Sequence, residues 1–339
     1  MPRGLAGDAG DAVGRRQPAR AFSGRTPFEP HHVCSVLPLG RTWRWVRLRG
    51  GWLDRNLRYV FPLPALAFIV VMMVFPLVYT LRLSCTEWSM SSMSPPAWVG
   101  VANYASLLGS DQRFSGAVWR TFYFTVLAVV LETVLGVAIA LALNRDMRGK
   151  NLVKTIFLLP MVATPVAVGM VWLLIYEPTI GIANYLLSVL GLPPLHWLAS
   201  PRQALPSLVL VDVWQWTPMI TLIVLAALTA LPRDPFEAAL VDGATPWQTV
   251  RHVTLPLLQP AIVAAMTLRA IDALKTFDII YTMTQGGPGF ASETLNIYSF
   301  VLGFQYFQMG KASALLMIFF AIVLGSAIIL SWARRPVEA

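Results

Sequence analysis

Six separate stretches of this chain are apolar over about the 20 residues that a helix needs to cross a bilayer core. They fall at residues 59–81, 121–143, 155–176, 206–231, 260–283 and 311–332. In hydrocarbon every backbone polar group has to be satisfied within the protein, so stretches of this length are stable there as helices. The predicted fold class is therefore all-α and integral to the membrane, with six transmembrane helices. Composition agrees: 13% of the residues are charged and 56% hydrophobic, with a mean hydropathy of +0.61, whereas soluble domains carry roughly a quarter charged residues.

Lys and Arg orient the spans, because cytoplasmic flanks hold the excess. Eleven precede residue 59, four lie between the second and third windows (Arg145, Arg148, Lys150 and Lys154), Arg233 and Arg251 flank the segment after the fourth, and Arg334 and Arg335 close the chain. The alternate loops hold only Arg82, Arg113, Arg120 and Arg202, with Lys311 at the mouth of the last window. This bias predicts a multi-pass chain with both termini in the cytoplasm. It also accounts for the net charge of +9, so the basic balance is no argument for nucleic-acid binding.

Three regions follow: a basic tail at 1–58, a membrane domain at 59–333 and a short cytoplasmic end at 334–339. The tail is rich in Arg, Gly and Pro and lacks apolar periodicity, a composition that cannot bury enough surface to order itself. His31 and His32 have no metal-ligand spacing, and no metal site is expected. Cys34 and Cys85 are predicted on opposite sides of the membrane and do not pair.

One polar stretch interrupts the apolar text, EAALVDGATPWQTVRHVTLPLL at residues 237–258. Pro235 suits an early helical position and 236–240 are good helix formers. Gly243 suits the left-handed residue that ends a helix, and Pro246 the first turn of the next. Helix, turn, helix is the local reading. The stretch resembles the EAA loop of binding-protein-dependent ABC importer permeases of the carbohydrate type. Outside it, FPLVYTLRLSCTEW at the end of the first window and WVGVANYASLL after it are also similar to that family, although Cys85 stands where phenylalanine is commoner. The resemblance runs from about residue 59 to 332, and it implies the inner (cytoplasmic) membrane of a bacterial cell. It implies a cytoplasmic coupling loop at 232–259, between spans four and five, whose first helix enters a separate ATPase. Glu237, Ala238 and Ala239 begin that helix, Asp242 and Gly243 make the turn, and Leu255 and Pro256 close the second helix.

Other candidates come from charge and aromaticity in the windows, where ionisable groups normally face the bundle interior or water. Glu132 sits deep in the second window and Asp212 in the fourth, and the fifth carries Arg269, Asp272, Lys275 and Asp278. By helical spacing Arg269, Asp272 and Thr276 share a face, a candidate substrate path; the competing reading is structural ion pairing, for example Glu132 with Arg269. Trp214, Gln215 and Thr217, beside Asp212 and Trp216, are the materials of a sugar site, or equally of an aromatic belt and core. Pro160 and Pro165 predict a kink in the third window, and 182–192 a short helix on the outer interface.

Catalytic and nucleotide motifs are missing. Between Gly303 and Lys311 the glycine spacing is too long for a phosphate loop, and Ala312 stands where Ser or Thr would bind magnesium. The resemblance therefore implies that ATP and magnesium belong to a partner ATPase, and that this chain holds no cofactor and is no enzyme. Its implied partners are a second, homologous permease, a homodimeric ABC ATPase, an extracytoplasmic solute-binding protein and the lipid bilayer. A sugar, polyol or glycerol phosphate is the implied cargo. A permease for polyamines or another organic solute is the alternative within the class, and an ion-coupled secondary transporter the alternative outside it.

Overall fold

A computed structural model describes residues 52–338 except 93, 146 and 147; most of the basic tail, with His31, His32 and Cys34, lies outside the described residues. They fall into two units divided after Pro62. The first contributes α1 (Trp52–Val60), in which the Arg58 guanidinium lies 4.7 Å over the Tyr59 ring.

Among its described residues the second unit is mainly helical, with one two-stranded ribbon and an isolated antiparallel bridge between Ser89 and Gln308. It opens with α2 (Leu63–Ser84), then β1 (Thr86–Glu87) paired antiparallel with β2 (Ala97–Trp98). The short α3 (Ala102–Gly109) follows. Asn103 secures this corner by donating from its amide to the carbonyls of Ser84 (2.8 Å) and Thr86 (2.9 Å), and the Tyr104 hydroxyl lies 2.6 Å from that of Ser84. Next come α4 (Gln112–Leu143), α5 (Lys150–Val162), α6 (Pro165–Ile175), α7 (Ile182–Val189) and α8 (Ala204–Thr229). The remainder is α9 (Asp234–Val241), α10 (Pro246–Thr249), α11 (Leu255–Leu274), α12 (Asp278–Thr284), α13 (Leu295–Phe300) and α14 (Met309–Glu338).

Among the described residues five helical runs are long and apolar enough to cross a membrane: Asn56–Ser84, Gln112–Leu143, Ala204–Thr229, Pro246–Leu274 and Met309–Trp332. The pair α5 and α6 makes a sixth if it counts as one span, but the two are bent by 98°. The third window is thus broken rather than kinked. The cause is local: Pro165 has no N–H and pushes the residue before it out of the helical region, and Thr164 is extended at φ −66°, ψ 138°. The freed carbonyl of Ala163 is taken up by Gln215, which donates to it at 3.1 Å.

The fifth window is also corrected. Its helix starts at Pro246, through a π-helical turn at Val250–Thr254, and stops at Leu274. Lys275, Thr276 and Phe277 then leave the helical ladder before α12 begins. The Asn296 side chain donates to the freed Lys275 carbonyl at 2.8 Å, which satisfies a backbone acceptor that the break would otherwise orphan.

Helices α4 and α8 form the centre. Close to one end their apolar core is shared with α6 and α12, through Phe124, Leu208, Val211, Ile279 and Ile280. Toward the other end a second core joins Ala140, Ile220, Val224 and Leu258. Between them the two helices nearly touch: a Cβ on Gly136 would stand 2.9 Å from the Ile220 side chain. Most of α2 is exposed over its whole circumference, including Phe68, Met73 and Phe75, as suits a helix whose surroundings are lipid or another subunit.

Candidate functional site

The polar segment after α8 forms the helix, turn and helix expected from its sequence. Pro235 sits in the first turn of α9, and Asp234 and Glu237 place negative charge at its N-terminal end, where the helix dipole favours it. Gly243 adopts φ +72°. This left-handed residue ends the helix: its N–H reaches the Leu240 carbonyl at 3.1 Å and that of Ala244 the Ala239 carbonyl at 2.9 Å. Thr245 then caps α10 through a capping box with Gln248. Pro246 occupies the first turn of α10, but Leu255 and Pro256 do not close the second helix as expected: they begin α11 after the π-helical turn, because the helix runs on from Pro246 to Leu274.

Ala239 is buried, whereas Glu237, Ala238 and Asp242 are exposed. Three apolar side chains of this loop are strongly exposed: Leu240 at 78%, Val241 at 87% and Trp247 at 69%. Reading of the sequence did not single them out, although large apolar residues inside an otherwise polar stretch are a usable signal. Behind the loop lies a cavity of about 870 Å³, walled by the ends of α4 and α8 and by Arg145, Arg233, Phe236 and Glu237.

The charged candidates are gathered differently from the expected single face. Arg269 on α11 is 1% exposed and lies between Glu132 on α4 and Asp212 on α8, both fully buried. Its Nη2 donates to Glu132 Oε1 at 3.0 Å and also pairs with Asp212 Oδ2. Arg269 Nε stands 2.8 Å from Glu132 Oε2, off the line of a hydrogen bond. The Trp216 ring completes the surroundings, 5.4 Å from the guanidinium carbon. Asp272 is not part of this cluster: its side chain is 58% exposed and pairs with Lys275 at 3.3 Å. Thr276 lies beyond the end of α11. The expected shared face of Arg269, Asp272 and Thr276 is therefore not formed: Thr276 lies beyond the end of the helix, and Asp272, still on it, is exposed and paired with Lys275 while Arg269 is buried.

The tryptophan-rich row on α8 divides as well. Gln215 and Thr217 are buried, the first spent on the Ala163 carbonyl and the second donating to the Val213 carbonyl at 2.6 Å. Trp214 is 46% exposed and meets Trp172 edge-on, with ring centres 5.6 Å apart. A second aromatic group forms at the helix break. Phe277 stacks on Tyr281 at 5.1 Å, and both meet Phe300, which in turn meets Phe304. Among the described residues no His, Cys, Asp and Glu cluster could hold a metal ion.

At the opposite end from the polar hairpin, residues 285–294 are locked in place. Arg113 makes a bidentate pair with the buried Glu293, at 2.7 and 2.5 Å, and lies 4.0 Å over the Phe290 ring. Arg120 donates to the Glu293 carbonyl at 2.7 Å. Asp111 caps α4 and accepts from Lys311 (2.8 Å) and the Tyr298 hydroxyl (2.6 Å). Burial pushes the Asp111 carboxyl up, but hydrogen bonds from Lys311, Tyr298 and the Phe114 N–H outweigh it and hold the group below its ordinary value.

The described residues thus form a membrane-type helical bundle with an exposed helical hairpin between two of its long apolar helices. The chain belongs to the family described as binding-protein-dependent transport system inner membrane component, whose model matches residues 132–335. It is accordingly a transport subunit rather than an enzyme. It is 41% identical over 273 residues to a probable ABC transporter permease, y4oQ, of Sinorhizobium fredii, covering 80% of this chain and 88% of that protein. It is 36% identical over 279 residues to the trehalose/maltose transport system permease MalF of Thermococcus litoralis, covering 81% of this chain and 92% of that one. A chain of a bacterial ABC transporter involved in import of the acidic polysaccharide alginate shares the fold, with a TM-score of 0.73 at 22% identity over 85% of this chain and 98% of that chain.

Proposed function

We propose that this chain is one of two homologous permease subunits of an ABC importer for a sugar, polyol or glycerol phosphate. Both termini and the 232–259 loop face the cytoplasm, a homodimeric ATPase supplies the ATP and magnesium chemistry, and an extracytoplasmic protein delivers the solute. The observation that carries the reading is the hairpin turned at Gly243: it presents Leu240, Val241 and Trp247 to solvent beside Glu237, a surface that is unfinished without a partner. The trehalose/maltose relative supports the carbohydrate class.

The break after Leu274 is the favoured part of the solute path. It places the exposed Asp272 and Lys275 beside Thr276 and the Phe277–Tyr281–Phe300 rings, and a sugar presents both hydroxyls and an apolar face to such a mixture. Trp214 is a further candidate for the path.

Two measurements test this. In a background lacking Cys34 and Cys85, Ser188→Cys should react with a membrane-impermeant thiol reagent on intact cells and Arg251→Cys should not; the reverse pattern overturns the orientation. Reconstituted with its ATPase and binding protein in nanodiscs, the complex should hydrolyse ATP faster when a sugar is added. No stimulation by any sugar or polyol that the binding protein binds would overturn the carbohydrate importer reading.

A further inference from the structure

Helices α8 and α11 are the two legs of the coupling hairpin. α9 follows α8 after a few residues, and on the other side Pro246–Leu274 is one helical run of 29 residues. A displacement of the hairpin can thus enter the bundle along both legs. At 1.5 Å per residue, Asp212 lies about 25 Å along α8 from its loop end, and Arg269 about 35 Å along the other leg from Pro246. The two residues meet there, and Glu132 joins them to α4. The three lie between the two apolar cores of the bundle, one helical turn along α4 from the close approach at Gly136.

Resting on the importer reading above, we infer that Glu132, Asp212 and Arg269 form the cross-link that makes both legs of the coupling hairpin move with α4 as one body. The cluster is then a set of positioning residues for coupling, rather than part of the solute path. Its chemistry suits the task. A guanidinium is a planar fork that can hold two carboxylates at once, which a lysine ammonium cannot do with the same geometry. All three side chains are buried, so water does not weaken the pairing. The α11 helix ends five residues beyond Arg269, so the cross-link sits close to where the rigid leg gives way to the break. Apolar packing alone would hold the legs together, yet it permits sliding that a directional ion cluster resists.

The test uses the whole complex with its ATPase and binding protein. The triple variant Glu132→Met, Asp212→Leu, Arg269→Met replaces the cluster by apolar side chains of similar size, a change that buried ion groups often tolerate without loss of stability. It should assemble with a yield within about twofold of wild type and keep its thermal midpoint and basal ATPase, while stimulation by loaded binding protein falls at least tenfold. Arg269→Lys should assemble and retain part of the stimulation. A triple variant stimulated like wild type would overturn the inference, as would an Arg269→Lys protein with full stimulation. A triple variant that no longer assembles would make the cluster a folding element, and would overturn it too. Failure of wild type itself to respond to binding protein would instead count against the importer reading.

Discussion

The loop at residues 285–294 and the loop at 232–254 are both polar insertions between apolar helices, and they are finished in opposite ways. In the first, Ser292, Glu293 and Thr294 are buried. Arg113 and Arg120 satisfy Glu293 from α4, and the Thr121 hydroxyl accepts from the Leu295 N–H at 2.9 Å. In the second, hydrogen bonds stay within the loop: the Gly243 turn and the Thr245–Gln248 capping box. Its large apolar side chains point into solvent. One loop completes this chain's own bundle, whereas the other has its shape settled locally and its surface left open. Interactions that span the fold should therefore control stability in the first, and interactions with a partner should control activity in the second.

The largest expected effect is on the closed loop. Glu293→Ala leaves the Arg113 guanidinium without its carboxylate, and a lost charge-assisted hydrogen-bonded pair of this kind is worth about 2 kcal/mol. Thermal unfolding of the purified permease should show a clear drop in midpoint, with low yield in membranes. An unchanged midpoint would erase the contrast between the loops.

On the open loop, Leu240→Ser combined with Trp247→Ala should leave the midpoint unchanged and reduce recovery of the ATPase on affinity purification severalfold. Loss of permease stability with normal ATPase recovery would reverse the assignment of roles.

Gly243→Val sharpens the same point. A Cβ at Gly243 would meet nothing within 4 Å, so the penalty is the left-handed backbone alone, roughly 1–2 kcal/mol for a residue with a side chain. The permease should still insert, with substrate-stimulated hydrolysis lost. Gly243→Asn, whose side chain tolerates that conformation, should retain most of the stimulation. Equal activity of Val and Asn variants would remove the backbone angle from the explanation.

The smallest effect is a pH dependence confined to the closed end. Because hydrogen bonds from Lys311, Tyr298 and the Phe114 N–H win over burial at Asp111, the folded state holds the ionised form more strongly than the unfolded chain does. That stability is present above the ordinary carboxylate value of about 4 and is lost as pH falls through the lower folded value. Hydrogen exchange around Tyr298 and Lys311 should rise on acidification below that point in wild type, and Asp111→Asn should flatten the response. Exchange at the 232–254 loop should show no such dependence on Asp111.

Much of the open loop was legible in the sequence because its geometry is local. A proline in the first turn of one helix, a glycine at a left-handed position and a proline in the first turn of the next act within a few residues of each other, so their spacing dictates the turn before any packing occurs. The helices themselves were legible from apolar length. Their interruptions were only partly so. Pro165 announced a bend, but not its 98° angle, nor that Gln215, far along the chain, would donate a hydrogen bond to the freed Ala163 carbonyl. The break after Leu274 carries no proline, and it is sustained by Asn296 from α13.

The charged residues mark the boundary most sharply. Their presence in apolar windows was enough to place Glu132, Asp212 and Arg269 in the bundle interior, because lipid exposure of such groups is too costly. Helical spacing then grouped Arg269 with Asp272 and Thr276, and the tertiary structure separated them, sending Arg269 to two carboxylates on other helices and leaving Asp272 exposed with Lys275. Sequence by itself determined which stretches are apolar enough to form long helices, where the hairpin turns and which residues cannot face lipid, since each follows from local backbone preference or from the free energy of burying a charge. Which charges meet was decided only by the packing of α4, α8 and α11, since partnership across helices depends on their relative rotation and depth, and no residue spacing within one helix encodes either.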